Sequence, residues 1–174
     1  PVIFIIPIIF QTGPYVFAEV TWVDIAITIV FCIAAFTDFL DGYIARKYNQ
    51  VTDFGKFMDP LADKLLVFAA FIILIEQGRI AGWIVTLIIA REFMVTGIRI
   101  LAANNHTVIA ASNLGKAKTI SQMVAIIVLL MNNFPFALLS LPVGTVLAYI
   151  AALLTVVSGV DYFIKNKHII LNSK

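Results

Sequence analysis

Charged residues and cysteines are both scarce in this sequence. Only 13% of its 174 residues are charged, 61% are hydrophobic, and the mean hydropathy is +1.02. This composition lies outside the range of ordinary water-soluble domains, so we expect the protein to fold in lipid. The one cysteine, Cys32, has no second thiol in the chain, which excludes an intrachain disulfide and a thiolate metal site.

A large excess of either charge sign is also missing. The formal net charge is +2, and the basic residues are dispersed among the ends of the apolar stretches. Nucleic-acid-binding domains concentrate basic residues in a patch or stripe, so we expect no nucleic-acid partner. The dispersed basic residues suit anionic membrane lipids and anionic substrates instead.

Six apolar stretches fill most of the chain, separated by short segments that contain turn-forming residues. A membrane span needs about 20 mostly apolar residues, so this length holds five or six crossings. We predict one all-α membrane domain over residues 1–174, with transmembrane helices at 1–10, 23–36, 57–75, 80–101, 120–131 and 138–160. Because the sequence opens on Pro1 with a short apolar stretch, we expect the first helix to be truncated.

Basic residues in the loops predict the orientation of the chain in the membrane. Loops near residues 46–56, 103–118 and 165–174 fall on one side and contain eight basic residues, whereas the opposite loops contain only Arg79. The positive-inside rule assigns the basic side to the cytoplasm, so both termini are expected there.

Four aspartates lie on two neighbouring predicted helices. Asp38 and Asp41 are three residues apart, and Asp59 and Asp63 are four apart, so each pair projects from one helix face. An ionised side chain at a helix centre costs about 3 kcal/mol on insertion scales, so this hairpin needs partners for its charges. Carboxylate oxygens without soft ligands nearby suit Mg²⁺ or Mn²⁺, and two such ions would form a phosphoryl-transfer site.

Small residues near the aspartates allow two interpretations. Gly42, Ala45 and Gly55 lack bulk, which lets membrane helices pack closely but also lets a nucleotide approach the backbone. Taken singly, each favours helix packing. Their position within the aspartate array favours the nucleotide.

The pattern Asp-x-x-Asp-Gly-x-x-Ala-Arg-x₈-Gly-x-x-x-Asp-x-x-x-Asp covers residues 38–63 and resembles the signature of the CDP-alcohol phosphotransferase family, with every position in register. This resemblance implies a six-helix homodimer in which two metal ions hold the diphosphate of a CDP-linked donor. It implies that the metal ligands are Asp38, Asp41, Asp59 and Asp63. Asp63 is then also the catalytic general base. The residues implied to contact the CDP moiety are Gly42, Ala45, Arg46 and Gly55.

A second group of charges lies in the fourth and fifth predicted helices. Charges in the middle of a membrane helix are costly, so they are candidates for function. We predict that an acceptor phosphate is bound by Arg91, Arg99, Lys116 and Lys118. Such cations favour glycerol 3-phosphate or an inositol phosphate over serine or choline. An alternative is that Glu92 pairs with Arg99, seven residues further along the helix, which leaves Arg91 unmatched.

The runs at residues 91–99 and 115–119 resemble the bacterial phosphatidylglycerophosphate synthase branch of the same family. This implies an enzyme of the bacterial cytoplasmic membrane that transfers the phosphatidyl group of CDP-diacylglycerol to glycerol 3-phosphate. Members of that branch usually begin with a short amphipathic segment containing an Asn and an Arg, which this sequence lacks. We therefore expect part of the acceptor or nucleotide pocket to lie outside it.

A cation transporter is the main alternative from another class, because clustered intramembrane carboxylates also line ion paths. A transporter is expected to repeat such an array in inverted halves, and residues 90–174 contain no second copy. A metal-stabilised structural scaffold is a third possibility. It does not require small residues and Arg46 at set positions.

Overall fold

The computed structural model describes residues 15–17, 20–47, 53–104, 109 and 112–171. Within these ranges, some residues are described by their backbone alone, among them 38, 42, 45–47 and 53–63. The first described elements are the antiparallel pair of strands β1 (Tyr15–Phe17) and β2 (Val20–Thr21). The remaining elements are α1 (Trp22–Lys47), α2 (Asp53–Glu76), α3 (Gly82–Asn104), α4 (Asn113–Leu130), a 3₁₀ turn (Phe136–Leu139) and α5 (Val143–Leu171).

The helices pack as a bundle in which α5 makes the most extensive contacts. Helices α3 and α4 both pack extensively along α5, while α1 and α2 pack against each other and each contacts α4. The centre of the bundle is apolar, and its largest fully buried side chains include Ile27, Phe31, Phe71, Leu74, Ile88, Ile126 and Leu130. The outer surface is also apolar, with large exposed side chains such as Ile33, Phe36, Leu153 and Val160. Helices that are apolar on all faces are typical of a membrane bundle.

The five helices correspond in order to the second through sixth predicted spans, and the first predicted span, 1–10, lies outside the described residues. Among the described residues, two helices are long and apolar enough to cross a membrane by length and composition, at Asn113–Leu130 and Val143–Lys167. Six transmembrane helices therefore stay a prediction.

Helix ends differ from the predicted ends. Helix α1 runs on from residue 36 to Lys47, so the segment with Asp38 and Asp41 is helical. Helix α4 begins at Asn113 rather than at residue 120. The side chain of Ser112 caps this helix start by accepting a hydrogen bond from the Gly115 N–H at 3.0 Å. The predicted helices end where an apolar stretch meets its first charged residue. The backbone hydrogen bonds and capping residues that define a helix end lie beyond that charge. The β1–β2 hairpin was not predicted.

An ion pair joins the helices at the end of the bundle opposite the aspartate array. The buried carboxylate of Asp24, at the start of α1, lies 2.8 Å from Nη2 of Arg79 in the α2–α3 turn. Nη1 of Arg79 donates to the carbonyls of Leu129 at 3.2 Å and Leu130 at 2.8 Å, at the end of α4. Thr21 donates its N–H and its hydroxyl to Asp24. Arg79 therefore ties three helices together and satisfies carbonyls that a helix end leaves unpaired.

We predict that Arg79→Ala destabilises the fold by about 3 kcal/mol, because removing one partner of a buried ion pair leaves the other charge uncompensated. The measurement is the midpoint of thermal unfolding in detergent. The matched control is Lys165→Ala, which breaks the exposed pair with Asp161 on α5 and is expected to cost less than about 1 kcal/mol. Equal midpoints for the two variants would contradict this role for Arg79.

Candidate active site

The two helices of the signature pack against each other, and residues 48–52 connect them. The end of α1 carries Asp38 and Asp41, and the start of α2 carries Asp59 and Asp63. Because the connection is short, these two helix segments lie at the same end of the bundle. The predicted CDP contacts, Gly42, Ala45, Arg46 and Gly55, belong to the same two segments.

Of the four aspartate side chains, only that of Asp41 is described, and it is exposed. The side chains of Asp38, Asp59 and Asp63 lie outside the described residues, so their convergence on metal ions stays a prediction. Elsewhere among the described side chains, no group of three or more His, Cys, Asp or Glu residues is placed to hold a metal ion. That part of the chain therefore offers no competing metal site.

A buried group of charges lies between α3 and α4. Oε1 of Glu92 is 2.9 Å from Nη1 of Arg91 and 2.6 Å from Nζ of Lys118. The three side chains are only 12% exposed for Arg91, 16% for Glu92 and 4% for Lys118. One carboxylate oxygen thus contacts two cations. The alternative that Glu92 pairs with Arg99 and leaves Arg91 unmatched is wrong, because the Glu92 carboxylate forms ion pairs with Arg91 and with Lys118 of α4.

Lys64 connects this group to α2. Its ammonium donates a hydrogen bond to the hydroxyl of Thr96, and that hydroxyl donates to the backbone carbonyl of Glu92 at 2.7 Å. Lys64 directly follows Asp63 in the sequence. We call Lys64, Arg91, Glu92, Thr96 and Lys118 the polar cluster. It joins α2, at the residue next to the predicted general base, to α3 and α4.

The other two predicted phosphate ligands lie apart from the polar cluster. Arg99 is exposed, and its Nε donates to the hydroxyl of Tyr162 at 3.4 Å, with the guanidinium 5.9 Å from the centre of that ring. It lies eight residues after Arg91, about 12 Å further along the helix. Lys116 is exposed, and it is two positions from the buried Lys118, on roughly the opposite face of α4. The structure thus brings together Arg91 and Lys118 of the four cations.

Sequence reasoning did not assign Lys64 and Thr96 to this site. One signal was present, since Thr96 lies one helical turn after Glu92 and therefore on the same face of α3. The approach of Lys64 depends on how α2 packs on α3, which no local pattern encodes.

The signature carried by α1 and α2 is that of a CDP-alcohol phosphatidyltransferase. The sequence profile of this family matches residues 2–157, so the chain belongs to the family and the resemblance is confirmed. The family is generally metal-dependent.

Among curated proteins, the chain is similar to several that are named CDP-diacylglycerol--glycerol-3-phosphate 3-phosphatidyltransferase. The Bacillus subtilis protein is 53% identical over 138 residues, covering 79% of this chain and 72% of that protein. The Rickettsia felis protein is 43% identical over 136 residues, covering 78% and 75% of the two chains. The Shigella flexneri protein is 40% identical over 152 residues, covering 84% and 81%.

We predict that Glu92→Gln destabilises the protein by about 3 kcal/mol, because two buried cations lose the anion they share. The thermal midpoint in detergent measures this loss. The double variant Glu92→Gln with Lys118→Met removes one charge of each sign, so it is expected to be more stable than Glu92→Gln alone. A double variant whose loss equals the sum of the two single losses would show that the charges are not coupled.

Proposed function

We propose that this protein transfers the phosphatidyl group of CDP-diacylglycerol to sn-glycerol 3-phosphate, giving phosphatidylglycerophosphate and CMP. Membership of the CDP-alcohol phosphatidyltransferase family supports the donor and the reaction. The names of relatives at 40–53% identity support the acceptor. The observation that carries the acceptor assignment is the pair of buried cations, Arg91 and Lys118, in a cluster that adjoins the signature helix α2.

The aspartates supply a donor set of the right chemistry for divalent metal ions. Carboxylate oxygens are the ligands that Mg²⁺ and Mn²⁺ prefer, and the set lies on one helix pair. In the proposal, two ions are held by Asp38, Asp41, Asp59 and Asp63. Bound there, the metal ions supply charge neutralisation for the diphosphate of the donor. Arg46 binds a donor phosphate, and Gly42, Ala45 and Gly55 leave space for the nucleotide.

The transfer is a direct displacement in this proposal. Asp63 accepts the proton of the free acceptor hydroxyl, and the acceptor oxygen forms a bond to the lipid-linked phosphorus. The bond from that phosphorus to the bridging oxygen breaks, and CMP leaves with the electron pair. No Ser, Cys or His of the sequence stands in a recognisable nucleophile arrangement, so no covalent enzyme intermediate is invoked.

The polar cluster binds the phosphate of the acceptor in the same proposal. Among the described side chains, Arg91 and Lys118 share the single anion Glu92, so these two cations carry one positive charge more than Glu92 balances. A phosphate that enters beside them supplies the missing negative charge and accepts charge-assisted hydrogen bonds. Arg99 and Lys116 are exposed, and they attract the anionic acceptor from solution.

We further propose that the chain is a homodimer with six transmembrane helices in a bacterial cytoplasmic membrane. The apolar outer surface and the two helices that are long enough to span a membrane support the membrane location. The excess of basic residues in the loops on one side supports an active site that faces the cytoplasm. The aspartate array lies at that same end of α1 and α2.

Acceptor choice is tested with purified protein, CDP-diacylglycerol and Mg²⁺, by following CMP release. We expect glycerol 3-phosphate to stimulate release strongly, and serine and inositol phosphate to have little effect. Chelation of the metal with EDTA should stop the reaction. Stimulation by serine or inositol phosphate alone would overturn the acceptor assignment, and metal-dependent cation flux in vesicles without CMP release would favour a transporter.

We predict that Asp63→Asn lowers the turnover number by on the order of 10²- to 10⁴-fold, the usual contribution of a positioned general base. Most binding of CDP-diacylglycerol should persist, seen as a rise in the thermal midpoint when donor and Mg²⁺ are added. The control is Asp161→Asn, because Asp161 pairs with Lys165 on α5 and takes no part in the proposed site. Near-normal turnover of Asp63→Asn would exclude the assigned role.

A further inference from the structure

Helix α5 presents a glycine to the side chain of Arg91. A Cβ atom added at Gly159 would lie 3.0 Å from Cγ of Arg91 and 3.4 Å from Cε of Met94. A contact of 3.0 Å is too short for the neighbouring side chain to remain where it is. Glycine is also less favourable than alanine inside a helix, so its place in the middle of α5 needs a reason.

The two neighbours of Gly159 differ in their freedom to move. Met94 ends in a flexible thioether and is partly exposed, so its tip can shift away at little cost. The guanidinium of Arg91 is held by Glu92, and its side chain is largely buried. A side chain at residue 159 would therefore displace Arg91.

Among the described residues, the edge of the Arg91 guanidinium formed by Nε and Nη2 donates no hydrogen bond to the protein. Nη1 donates to Glu92, whereas the buried Nε has no hydrogen-bond partner among the described residues. Nε lies 4.0 Å from the Cβ position of Gly159, and Nη2 lies 3.9 Å from the Cβ position of Gly115 on α4. The edge formed by Nε and Nη2 thus lies between two glycines. A guanidinium edge of this kind matches two oxygens of a phosphate.

We propose that Gly159 is a positioning residue for the acceptor: it leaves the space in which Arg91 turns its Nε–Nη2 edge toward the acceptor phosphate. This inference rests on the proposed function and deepens it, because it gives α5 a part in acceptor recognition. The Nη1 contact with Glu92 fixes the rotation of the guanidinium. Gly159 then allows the aliphatic part of the side chain to lie against the backbone of α5.

Small residues in membrane helices commonly serve close helix packing, which is the competing explanation for Gly159. The two explanations differ in what a methyl group changes. Loss of helix packing lowers stability and affects both substrates together. Displacement of Arg91 affects the acceptor alone, because the donor is bound by α1 and α2 in the proposal.

The test compares Gly159→Ala with Gly97→Ala, a helical glycine of α3 whose added Cβ would meet nothing within 4 Å. We expect Gly159→Ala to raise the KM for glycerol 3-phosphate on the order of tenfold, as a small misplacement of a binding group can. The KM for CDP-diacylglycerol and the thermal midpoint should stay unchanged. Gly97→Ala should leave both KM values unchanged. An unchanged KM for glycerol 3-phosphate in Gly159→Ala would overturn the inference.

A double-mutant cycle shows whether Gly159 acts through Arg91. In an Arg91→Ala background, Gly159→Ala should cause no further rise in the KM for glycerol 3-phosphate. An equal rise in both backgrounds would overturn the inference. A Gly159→Ala chain that fails to fold would also overturn the inference, because loss of stability is the result that helix packing predicts. A wild-type protein without acceptor-dependent CMP release would instead contradict the proposed function.

Discussion

The pairing of charges inside an apolar bundle is the constraint on which this structure depends. An ion without a partner in such an environment costs more than the fold can tolerate, so each buried charge must find a counterion or enough hydrogen-bond partners. The described part of the chain pairs buried charges at two places. Asp24 pairs with Arg79 at one end, and Glu92 pairs with Arg91 and Lys118 nearer the other.

These two groups differ in their charge balance. Asp24 and Arg79 carry opposite unit charges, and Arg79 also donates to two carbonyls that end α4, so the group is complete without a ligand. A cavity of about 590 Å³ opens beside it, but the ion pair is already satisfied by protein atoms. Among the described side chains, Arg91 and Lys118 are two cations that share one anion, Glu92. The buried Nε–H of Arg91 has no hydrogen-bond partner among the described residues. A group whose charges balance is typical of a structural role, whereas a group with an excess of one charge sign indicates a site for a ligand.

Sequence patterns predicted the features of this protein that depend on residues close together in the chain. The five described helices, the family and the segment that carries its signature all followed from runs of apolar residues and from fixed spacing. The contacts of Glu92 did not follow. Adjacent residues on a helix do not face each other, so pairing of Arg91 with Glu92 was not expected. Lys118 reaches Glu92 because α3 and α4 both pack along α5. Such contacts depend on tertiary packing and on long flexible side chains.

Acceptor choice is physically separable from the chemistry of transfer in this arrangement. In the proposed function, the signature on α1 and α2 binds the donor and the metal ions. It therefore carries no information about the acceptor. Apart from Lys64, the side chains of the polar cluster come from α3 and α4, and Lys64 of α2 joins them through its hydrogen bond to Thr96. In the proposed function, a change of charge among Arg91, Glu92 and Lys118 is therefore expected to alter which acceptor binds while the donor site and the metal ligands stay intact.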